Sequence, residues 1–317
     1  MDSHVRSITI KLLLLAWILG GCQSLTKIPR SPQEALGLAE GLIKTGENDE
    51  AIATLDHFGV DPLSLEDKAH WYLLAGTATY KGGDSWDAFD LILDFIREHR
   101  FLPKIPALAD LTYDIGETLA ESDDSFWPFY SARQEAKGVL REFVSLYATR
   151  PQMPDALYRL AELAYEDEQY QLARRRYTQI IQGRYGRSVW NTKAAFRVAM
   201  CYFLQLEGPE YDLEGMNLAK AELTDFLNNE IENPGFRKQA QVALRTVRSW
   251  LAEKQVGIAE FYRILNNPEG EHQHLLLAVT QYPLTPAAER AGKRLKKIAE
   301  KGKTPDRVKT KKGGEPK

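Results

Sequence analysis

The chain has 317 residues, of which 44% are hydrophobic and 27% charged, so it can bury a hydrophobic core and is not wholly disordered. Its 41 Lys and Arg residues against 44 Asp and Glu residues give a net charge of −3, which argues against a dedicated nucleic-acid binding protein. Two cysteines cannot form a disulfide framework, and the length suits either two compact domains or one elongated repeat array.

The N-terminal segment has the pattern of a bacterial lipoprotein signal. Arg6 and Lys11 precede a short apolar run over 12–19, which is the order of charge and hydrophobicity found in secretory signals. The run is too short to span a membrane as a helix. It ends in Leu-Gly-Gly-Cys, which resembles the lipobox of bacterial lipoproteins, so residues 1–21 are predicted to be a lipoprotein signal peptide.

Cys22 is then predicted to be the lipid-modified first residue of the mature protein. An ordinary buried cysteine close to a signal sequence is the alternative. Because two or more acyl chains hold a protein stably on a membrane, lipidation of Cys22 implies permanent tethering. Gln23 follows the cysteine in place of an Asp, and by resemblance to enterobacterial sorting this predicts a lipid anchor on the periplasmic face of the outer membrane. Residues 22–31 form the lipidated N-terminus and a linker.

Small residues recur at a fixed spacing along the rest of the chain. A spacing of twelve is that of the tetratricopeptide repeat, in which two antiparallel helices approach so closely that only Gly or Ala fits between them. Gly, Asn and Asp between the two helices of a pair supply the geometry of a turn. The pairs are Ala39 with Ala51, Gly76 with Ala88, Ala161 with Ala173 and, with eight extra residues in the turn, Gly116 with Ala136 and Ala199 with Ala219.

A sixth repeat is predicted from Ala259 and Glu271, with a second helix that is broken over 266–270 and resumes near His272. Its first helix is expected to be long, because the helical pattern extends upstream to Gly235. No strand pattern is present in the sequence. The predicted fold is an all-α tetratricopeptide-repeat superhelix, or α-solenoid, of about six helical hairpins and a C-terminal cap helix. The repeats span 32–65, 69–102, 109–150, 154–187, 192–233 and 252–285, and the cap helix begins at Pro286.

The last residues, 301–317, combine seven Lys and Arg with three Gly and two Pro. A polar run without apolar periodicity cannot bury enough surface to fold, so this segment is predicted to be a disordered basic tail. Its positive charge could also contact anionic lipid, nucleic acid or peptidoglycan, although a solvated tail is the more ordinary expectation.

The C-terminal half resembles one family of repeat lipoproteins. The similarity lies in Ala-Met-Cys-Tyr-Phe over 199–203, Arg-Ser-Trp-Leu-Ala-Glu-Lys over 248–254 and Gln-Tyr-Pro-Leu-Thr-Pro over 281–286. These motifs are similar to those of BamD, the lipoprotein of the outer-membrane β-barrel assembly machine. The resemblance covers about 154–300, and it implies a periplasmic scaffold that binds unfolded β-barrel precursors and docks on the POTRA-bearing barrel-assembly subunit.

The same resemblance divides the chain into domains. Residues 32–102 would be N-terminal tetratricopeptide repeats added to the family pattern, and residues 103–300 would be the BamD-like tetratricopeptide-repeat domain. In this family the C-terminal repeats dock on a POTRA domain, partly through charged contacts. The residues implied for partner binding lie on the long helix of the sixth repeat: Arg248, Trp250, Glu253 and Lys254.

A second candidate surface is the concave channel of a tetratricopeptide superhelix. Exposed positions of the first helix of each repeat line this channel, and aromatic side chains interleaved with charges can hold an extended peptide. The residues predicted for this peptide-binding groove are Asp155, Tyr158, Glu162, Tyr165 and Glu166. In the fifth repeat, Phe196, Met200 and Phe203 suit either the groove or the core between repeats.

The sequence carries no motif of catalysis or nucleotide binding, such as Gly-x-Ser-x-Gly, a phosphate loop or His-Glu-x-x-His. His272 and His274 are the only close pair of histidines, and two residues apart on a helix they would point in different directions. Cys201 lies in an apolar helix face, which favours inert packing over reactivity. The sequence therefore predicts a protein-binding molecule and not an enzyme, with no cofactor, no metal and no nucleic-acid partner.

Another class of function fits the same features. The alternative is a scaffold for envelope maintenance, which would coordinate peptidoglycan synthesis or the Tol-Pal system without a role in barrel insertion. The two added N-terminal repeats and the broken helix of the sixth repeat favour this alternative, whereas the motifs of the long helix favour the barrel-assembly role.

Overall fold

A computed structural model of the protein describes most of the chain after its first 27 residues. The predicted signal peptide, Cys22 and most of the predicted basic tail lie outside the described residues. The described residues are 28–98, 106–122, 125–126, 130–183, 189–210, 213–229 and 233–303.

The chain forms two compact units, the first ending at Arg150 and the second beginning at Pro151. The helices of the first unit are α1 (Pro32–Thr45), α2 (Asn48–Asp56), α3 (Leu65–Gly82), α4 (Ser85–Glu98), α5 (Pro106–Glu121) and α6 (Ala132–Leu146). Those of the second unit are α7 (Met153–Glu166), α8 (Tyr170–Gln182), α9 (Val189–Leu204), α10 (Leu213–Asn228), α11 (Pro234–Ile264), α12 (Pro268–Gln281) and α13 (Pro286–Lys303).

Consecutive helices pair as hairpins, and the hairpins stack within each unit. In the first unit α1 packs on α2, α3 on α4 and α5 on α6, and the first helix of each later hairpin also contacts both helices before it. The second unit repeats this order with α7 to α12, and α13 packs on both α12 and α11. Each repeat thus buries its apolar face only by stacking on its neighbour, as in an α-solenoid. The predicted all-α tetratricopeptide-repeat fold is confirmed.

Local sequence signals determine where the early helices begin and end. The hydroxyl of Ser31 accepts a hydrogen bond from the backbone N–H of Glu34, 3.1 Å away, and so caps the first turn of α1. Ser64 does the same for α3, where the N–H of Asp67 donates to it at 3.2 Å. Gly83 ends α3 with a φ of 103°, a left-handed conformation that glycine adopts without steric cost.

The small residues lie where the two helices of a hairpin approach each other. Both members of all five Gly/Ala pairs are buried. Gly116 shows why the position is restricted, because a Cβ atom there would lie 2.6 Å from Leu140 Cδ2. Such a distance is far inside van der Waals contact, so even a methyl group would force α5 and α6 apart.

One short strand pair departs from the predicted absence of strands. Ser125–Phe126 (β1) pairs antiparallel with Tyr130–Ser131 (β2) in the long turn between α5 and α6. The sequence predicts an insertion at this place but no strands. Two-residue strands carry no alternating apolar pattern, so periodicity could not have revealed them.

The prediction of a broken second helix in the sixth repeat is wrong. Helix α12 begins at Pro268, where the missing N–H of proline costs no hydrogen bond, and Asn267 Oδ1 accepts from the N–H of Gly270 at 3.0 Å. The turn before it is confined to the neighbourhood of Asn266, whose φ is 53°. Asn, Pro and Gly here start a helix, although these residue types are equally typical of a helix break.

The other C-terminal predictions concern α11 and α13. Helix α11 has 31 residues, so the expected long first helix of the sixth repeat is confirmed. Helix α13 is the expected cap helix and extends to Lys303, and residues 304–317 of the predicted tail lie outside the described residues. The family resemblance implies a domain boundary between residues 102 and 103. This boundary stays a prediction, and it differs from the division into compact units between Arg150 and Pro151. Among the described residues no helix is both long enough and apolar enough to cross a membrane.

Candidate protein-binding surface of the second unit

Glu162 lies at the centre of a hydrogen-bonded cluster that joins three helices. Arg197 of α9 donates from Nε to Glu162 Oε1 at 2.8 Å and from Nη2 to Glu162 Oε2 at 2.6 Å. The hydroxyl of Tyr177, on α8, donates to the same carboxylate. The exposed fraction of the side chain is 16% for Glu162 and 27% for Arg197. This two-point geometry is the strongest form of an Arg–carboxylate pair. Together with Tyr158, these residues are called the Glu162 network below.

Aromatic rings surround the Glu162 network. The ring of Tyr158 lies 5.6 Å from that of Tyr177 and 4.6 Å from that of Trp190. Lys193 Nζ stands 4.4 Å above the Trp190 ring, and the Arg197 guanidinium is 4.3 Å from the centre of the Tyr165 ring. Each cation therefore lies over the electron-rich face of a ring. Helices α7, α8 and α9 are held together by polar and aromatic contacts as well as by the apolar core.

Burial sets the protonation behaviour of this cluster. Burial raises the pKa of the Tyr158 hydroxyl to about 12, and the nearby carboxylate of Glu162 adds to the rise. The pKa of Tyr177 is raised for the same two reasons. Burial opposes the charge on Arg197, but its hydrogen bonds to Glu162 and the charge of that carboxylate outweigh burial and raise its pKa. The two tyrosines stay neutral and Arg197 stays charged at physiological pH.

Four of the five predicted groove residues are half-buried, and one is exposed. Tyr158, Glu162 and Tyr165 are half-buried against α8 and α9. Asp155 is half-buried in the first turn of α7, where a carboxylate interacts favourably with the helix dipole. Glu166 is exposed in the last turn. The Glu162 carboxylate already accepts hydrogen bonds from Arg197 and Tyr177.

In the fifth repeat, Phe196 lies in the core and not in the groove. Its side chain is 2% exposed, and its ring stacks on Phe236 at 4.4 Å with an interplanar angle of 8°. Met200 and Phe203 pack partly buried against the same core cluster. Phe196 therefore holds α9 against α11 and is not available to a partner.

The four predicted partner-binding residues of α11 do not form one cluster. Trp250 is half-buried and stacks on Phe203 with ring centres 6.0 Å apart. Both carboxylate oxygens of Glu253 accept from Arg290 Nη2, at 2.7 and 2.5 Å. Lys254 Nζ donates to the carbonyl oxygen of Glu210 at 2.9 Å. These three share one face of α11, whereas Arg248 is exposed on a different side of the helix.

The same face of α11 continues as an apolar stripe toward its C-terminal end. Phe261, Ile264 and Leu265 are 57%, 67% and 58% exposed, and three such side chains close together are more informative than one alone. We call these three residues the α11 stripe. A groove of about 520 Å³ begins beside it, between Phe261 and Lys254 on α11 and Pro209 in the loop after α9. An exposed apolar strip rimmed by polar residues is typical of a protein interaction site.

Sequence analysis missed the partners that fix the predicted residues in place. Arg197, Tyr177 and Arg290 lie 35, 15 and 37 positions from the residues they bind, so no local pattern connects them. One signal was present, because Arg197 interrupts the apolar run of α9, and a charged residue in such a run is usually paired.

No metal centre is formed by the described ranges, in which no three His, Cys, Asp or Glu side chains converge. His274 Nδ1 lies 2.8 Å from Gln255 Oε1 and its ring stacks on Tyr262, whereas His272 is exposed. Burial raises the pKa of the Cys201 thiol to about 12, so the thiolate form that would react is suppressed.

Comparison with known proteins gives structural neighbours only. No family model and no curated protein matches the chain. Among solved structures, the C-terminal part of a TPR repeat-containing protein from Cytophaga hutchinsonii covers 82% of this chain and 87% of its own, with 14% identity and a TM-score of 0.38. BtubC from P. vanneervenii covers 90% and 99% with 14% identity and a TM-score of 0.35. PilF from Pseudomonas aeruginosa covers 83% and 97% with 11% identity and a TM-score of 0.31.

These TM-scores are low, so the assignment of the fold rests on the stacked hairpins and their small-residue contacts. The architecture is that of a helical-repeat solenoid.

Proposed function

We propose that this protein is a membrane-tethered periplasmic scaffold lipoprotein, similar to BamD, that binds β-barrel outer-membrane protein precursors and the POTRA-bearing barrel-assembly subunit. The observation that carries the proposal is the exposed face of α11, where the α11 stripe adjoins the charged pairs of Glu253 and Lys254. The family motif over 248–254 lies on this same helix. The lipobox-like sequence before Cys22 supports tethering to the outer membrane.

The arrangement of α11 suits recognition of another protein. Apolar side chains at the centre of an interface supply most of the binding free energy, while a polar rim orients the partner. Phe261 and Ile264 would provide that centre, and the Glu253–Arg290 pair would lie at the rim. Binding on such a surface needs no cofactor and no catalytic group, in keeping with a scaffold.

Affinity purification of the tagged full chain from detergent-solubilised envelopes tests the proposal. We expect wild type to capture a POTRA-bearing barrel protein. Phe261→Glu should abolish most capture, because it places a charge at the apolar centre of the interface. Arg248→Glu should leave capture through this face nearly unchanged, because Arg248 is exposed on a different side of α11.

The matched control is Val242→Glu, which changes an apolar residue that is 47% exposed on the same helix but lies outside the α11 stripe. It should capture as much partner as wild type. Capture that survives Phe261→Glu would contradict docking through the α11 stripe. Capture of peptidoglycan-synthesis or Tol-Pal proteins, with no POTRA-bearing protein, would replace this proposal with the envelope-maintenance scaffold.

A further inference from the structure

A second pocket, of about 410 Å³, lies between α8, α9 and the start of α10. It is separate from both the Glu162 network and the α11 stripe. The residues that matter for its chemistry are Arg174, Tyr202, Gln205, Leu206, Glu207 and Leu218.

Arg174 presents an oriented set of hydrogen-bond donors in this pocket. Its guanidinium carbon lies 4.1 Å from the centre of the Tyr202 ring, and stacking of this kind fixes the plane of the group. Among the described residues, Arg174 donates no hydrogen bond and forms no ion pair. A guanidinium carries five N–H donors in a fork that matches a carboxylate. The fork is therefore held in place and available to a ligand.

The walls of the pocket at Arg174 contain one further hydrogen-bond donor and two apolar side chains. Gln205 Nε2 donates to the carbonyl oxygen of Cys201 at 2.8 Å, which fixes the amide and leaves its second hydrogen to donate elsewhere. Leu206 is half-buried and Leu218 is 45% exposed. A ligand held by Arg174 could thus lay an aliphatic group against the two leucines.

The charges around the pocket favour a ligand with a single negative charge. Helix α8 carries three consecutive arginines, 174–176, and no Asp or Glu. Two carboxylates limit this positive charge. Glu207 is exposed in the pocket wall, and burial and the charge of Asp225 raise the pKa of Glu222, a rise that the nearby charge of Arg174 opposes. Repulsion by two carboxylates penalises a doubly charged phosphate more than a carboxylate.

We propose that this pocket binds a carboxylate of a partner polypeptide, with Arg174 gripping the carboxylate at two points and Leu206 and Leu218 receiving the preceding apolar side chain. The ligand class is an acidic residue or a C-terminal carboxylate that follows an aliphatic residue. The site stands on the pocket alone and does not depend on a role in barrel assembly.

Calorimetric titration of the full chain with N-acetyl-Leu-Asp amide, which carries a single carboxylate, tests the site. We expect saturable binding, and binding at least about tenfold weaker for N-acetyl-Leu-Asn amide, which has no carboxylate, because a hydrogen bond to a charged group contributes about 1.5–3 kcal/mol. Arg174→Gln should lose a similar factor. Arg175→Gln, on the neighbouring exposed arginine outside the pocket, should bind as wild type does. Arg174→Lys keeps the charge without the fork and should bind nearly as weakly as Arg174→Gln.

Several outcomes would overturn the site. They are absence of binding by wild type, equal binding of N-acetyl-Leu-Asn amide, unchanged binding by Arg174→Gln, and full binding by Arg174→Lys. Tighter binding of inorganic phosphate than of N-acetyl-Leu-Asp amide would make this an anion pocket of another class and would also overturn it. If Arg174→Gln fails to fold, Leu218→Glu replaces it as the test variant, because Leu218 is exposed. This variant should bind the peptide more weakly, since a carboxylate in the apolar wall repels the carboxylate of the ligand. Failure here would leave capture through α11 unaffected, so the two proposals fail independently.

Discussion

At the residue scale, the second unit depends on a few polar side chains that lie between its repeats. Glu162 and Arg197 are largely removed from water, and each satisfies the other. Removing one member of such a pair is costly mainly because the other charge is left without a partner. The Glu162 network is thus a structural contact between the fourth and fifth repeats, whichever ligand reaches the groove.

Glu162→Ala should destabilise the second unit by about 3 kcal/mol, near the lower end of the range for breaking a buried ion pair, because Arg197 keeps some contact with water. Urea unfolding followed by tryptophan fluorescence measures this change. Glu166→Ala, on the exposed part of the same helix, should cost less than about 1 kcal/mol. Adding Arg197→Met to Glu162→Ala should restore part of the loss. Equal unfolding midpoints for wild type and Glu162→Ala would show that the pair contributes nothing.

Alkaline pH should destabilise the second unit. Burial raises the pKa of Tyr158 from 10.0 to about 12 and that of Cys201 from 9.0 to about 12. The folded state therefore keeps protons that the unfolded chain releases, so this stability is complete below pH 9 and is lost as the pH rises toward 12. The thermal midpoint, measured at intervals above pH 8, should fall, and Cys201→Ala should make the fall shallower. A midpoint that holds constant over this range contradicts the burial of these groups.

At the element scale, hairpin packing is set by small residues where helices touch. The contact between Gly116 and Leu140 leaves no room for a methyl group, whereas Gly138, on α6, has no atom within 4 Å of the position a Cβ would take. The two glycines therefore have opposite constraints within one hairpin. Gly270 repeats the close contact in the sixth repeat, since its Cβ would lie 2.6 Å from Tyr262 Cγ.

Gly116→Ala and Gly138→Ala should change stability in opposite directions. The first should cost about 1–3 kcal/mol through overpacking against Leu140, and the second should gain about 1 kcal/mol because alanine favours the helix. Chemical unfolding midpoints of the two variants provide the measurement, with Gly138→Ala as the matched control. Stabilisation by both substitutions would mean that α5 and α6 do not approach as described.

At the scale of the whole molecule, the proposed anchor at Cys22 would make the protein a tethered scaffold. Cys22 precedes all of the described helices in the chain, so they would be held near one membrane. A protein held in this way meets membrane-bound partners at a raised local concentration, which compensates for modest affinity at each site.

Replacing Cys22 by Ser should leave an uncleaved precursor that metabolic labelling with palmitate does not detect, because the thiol that accepts the lipid is gone. Wild type should incorporate the label and remain with the membrane fraction. Cys201→Ser serves as the control for cysteine loss and should label as wild type does. Label that persists in Cys22→Ser would contradict lipidation at this position.

The sequence by itself determined the helical hairpins, because the information they need is local. The spacing of Gly and Ala predicted the close helix contacts, and Gly, Asn and Asp predicted the turns between paired helices. The same local reading failed at α12, where Asn267, Pro268 and Gly270 were interpreted as a break although they begin a helix. Asn, Pro and Gly can either break a helix or begin one, and the tertiary contacts of the residues after them decide between the two.

The candidate sites were decided by tertiary structure. The sequence placed Glu162, Trp250 and Glu253 on the right helices, but it could not show that Arg197, Phe203 and Arg290 engage them. Such pairs join different repeats, and their formation depends on how each hairpin stacks on the last. The pocket at Arg174 has the same origin, because three helices must pack before its guanidinium and the Tyr202 ring share one space. Residue type fixes what a side chain can bind, and packing between repeats decides which side chains remain available for binding.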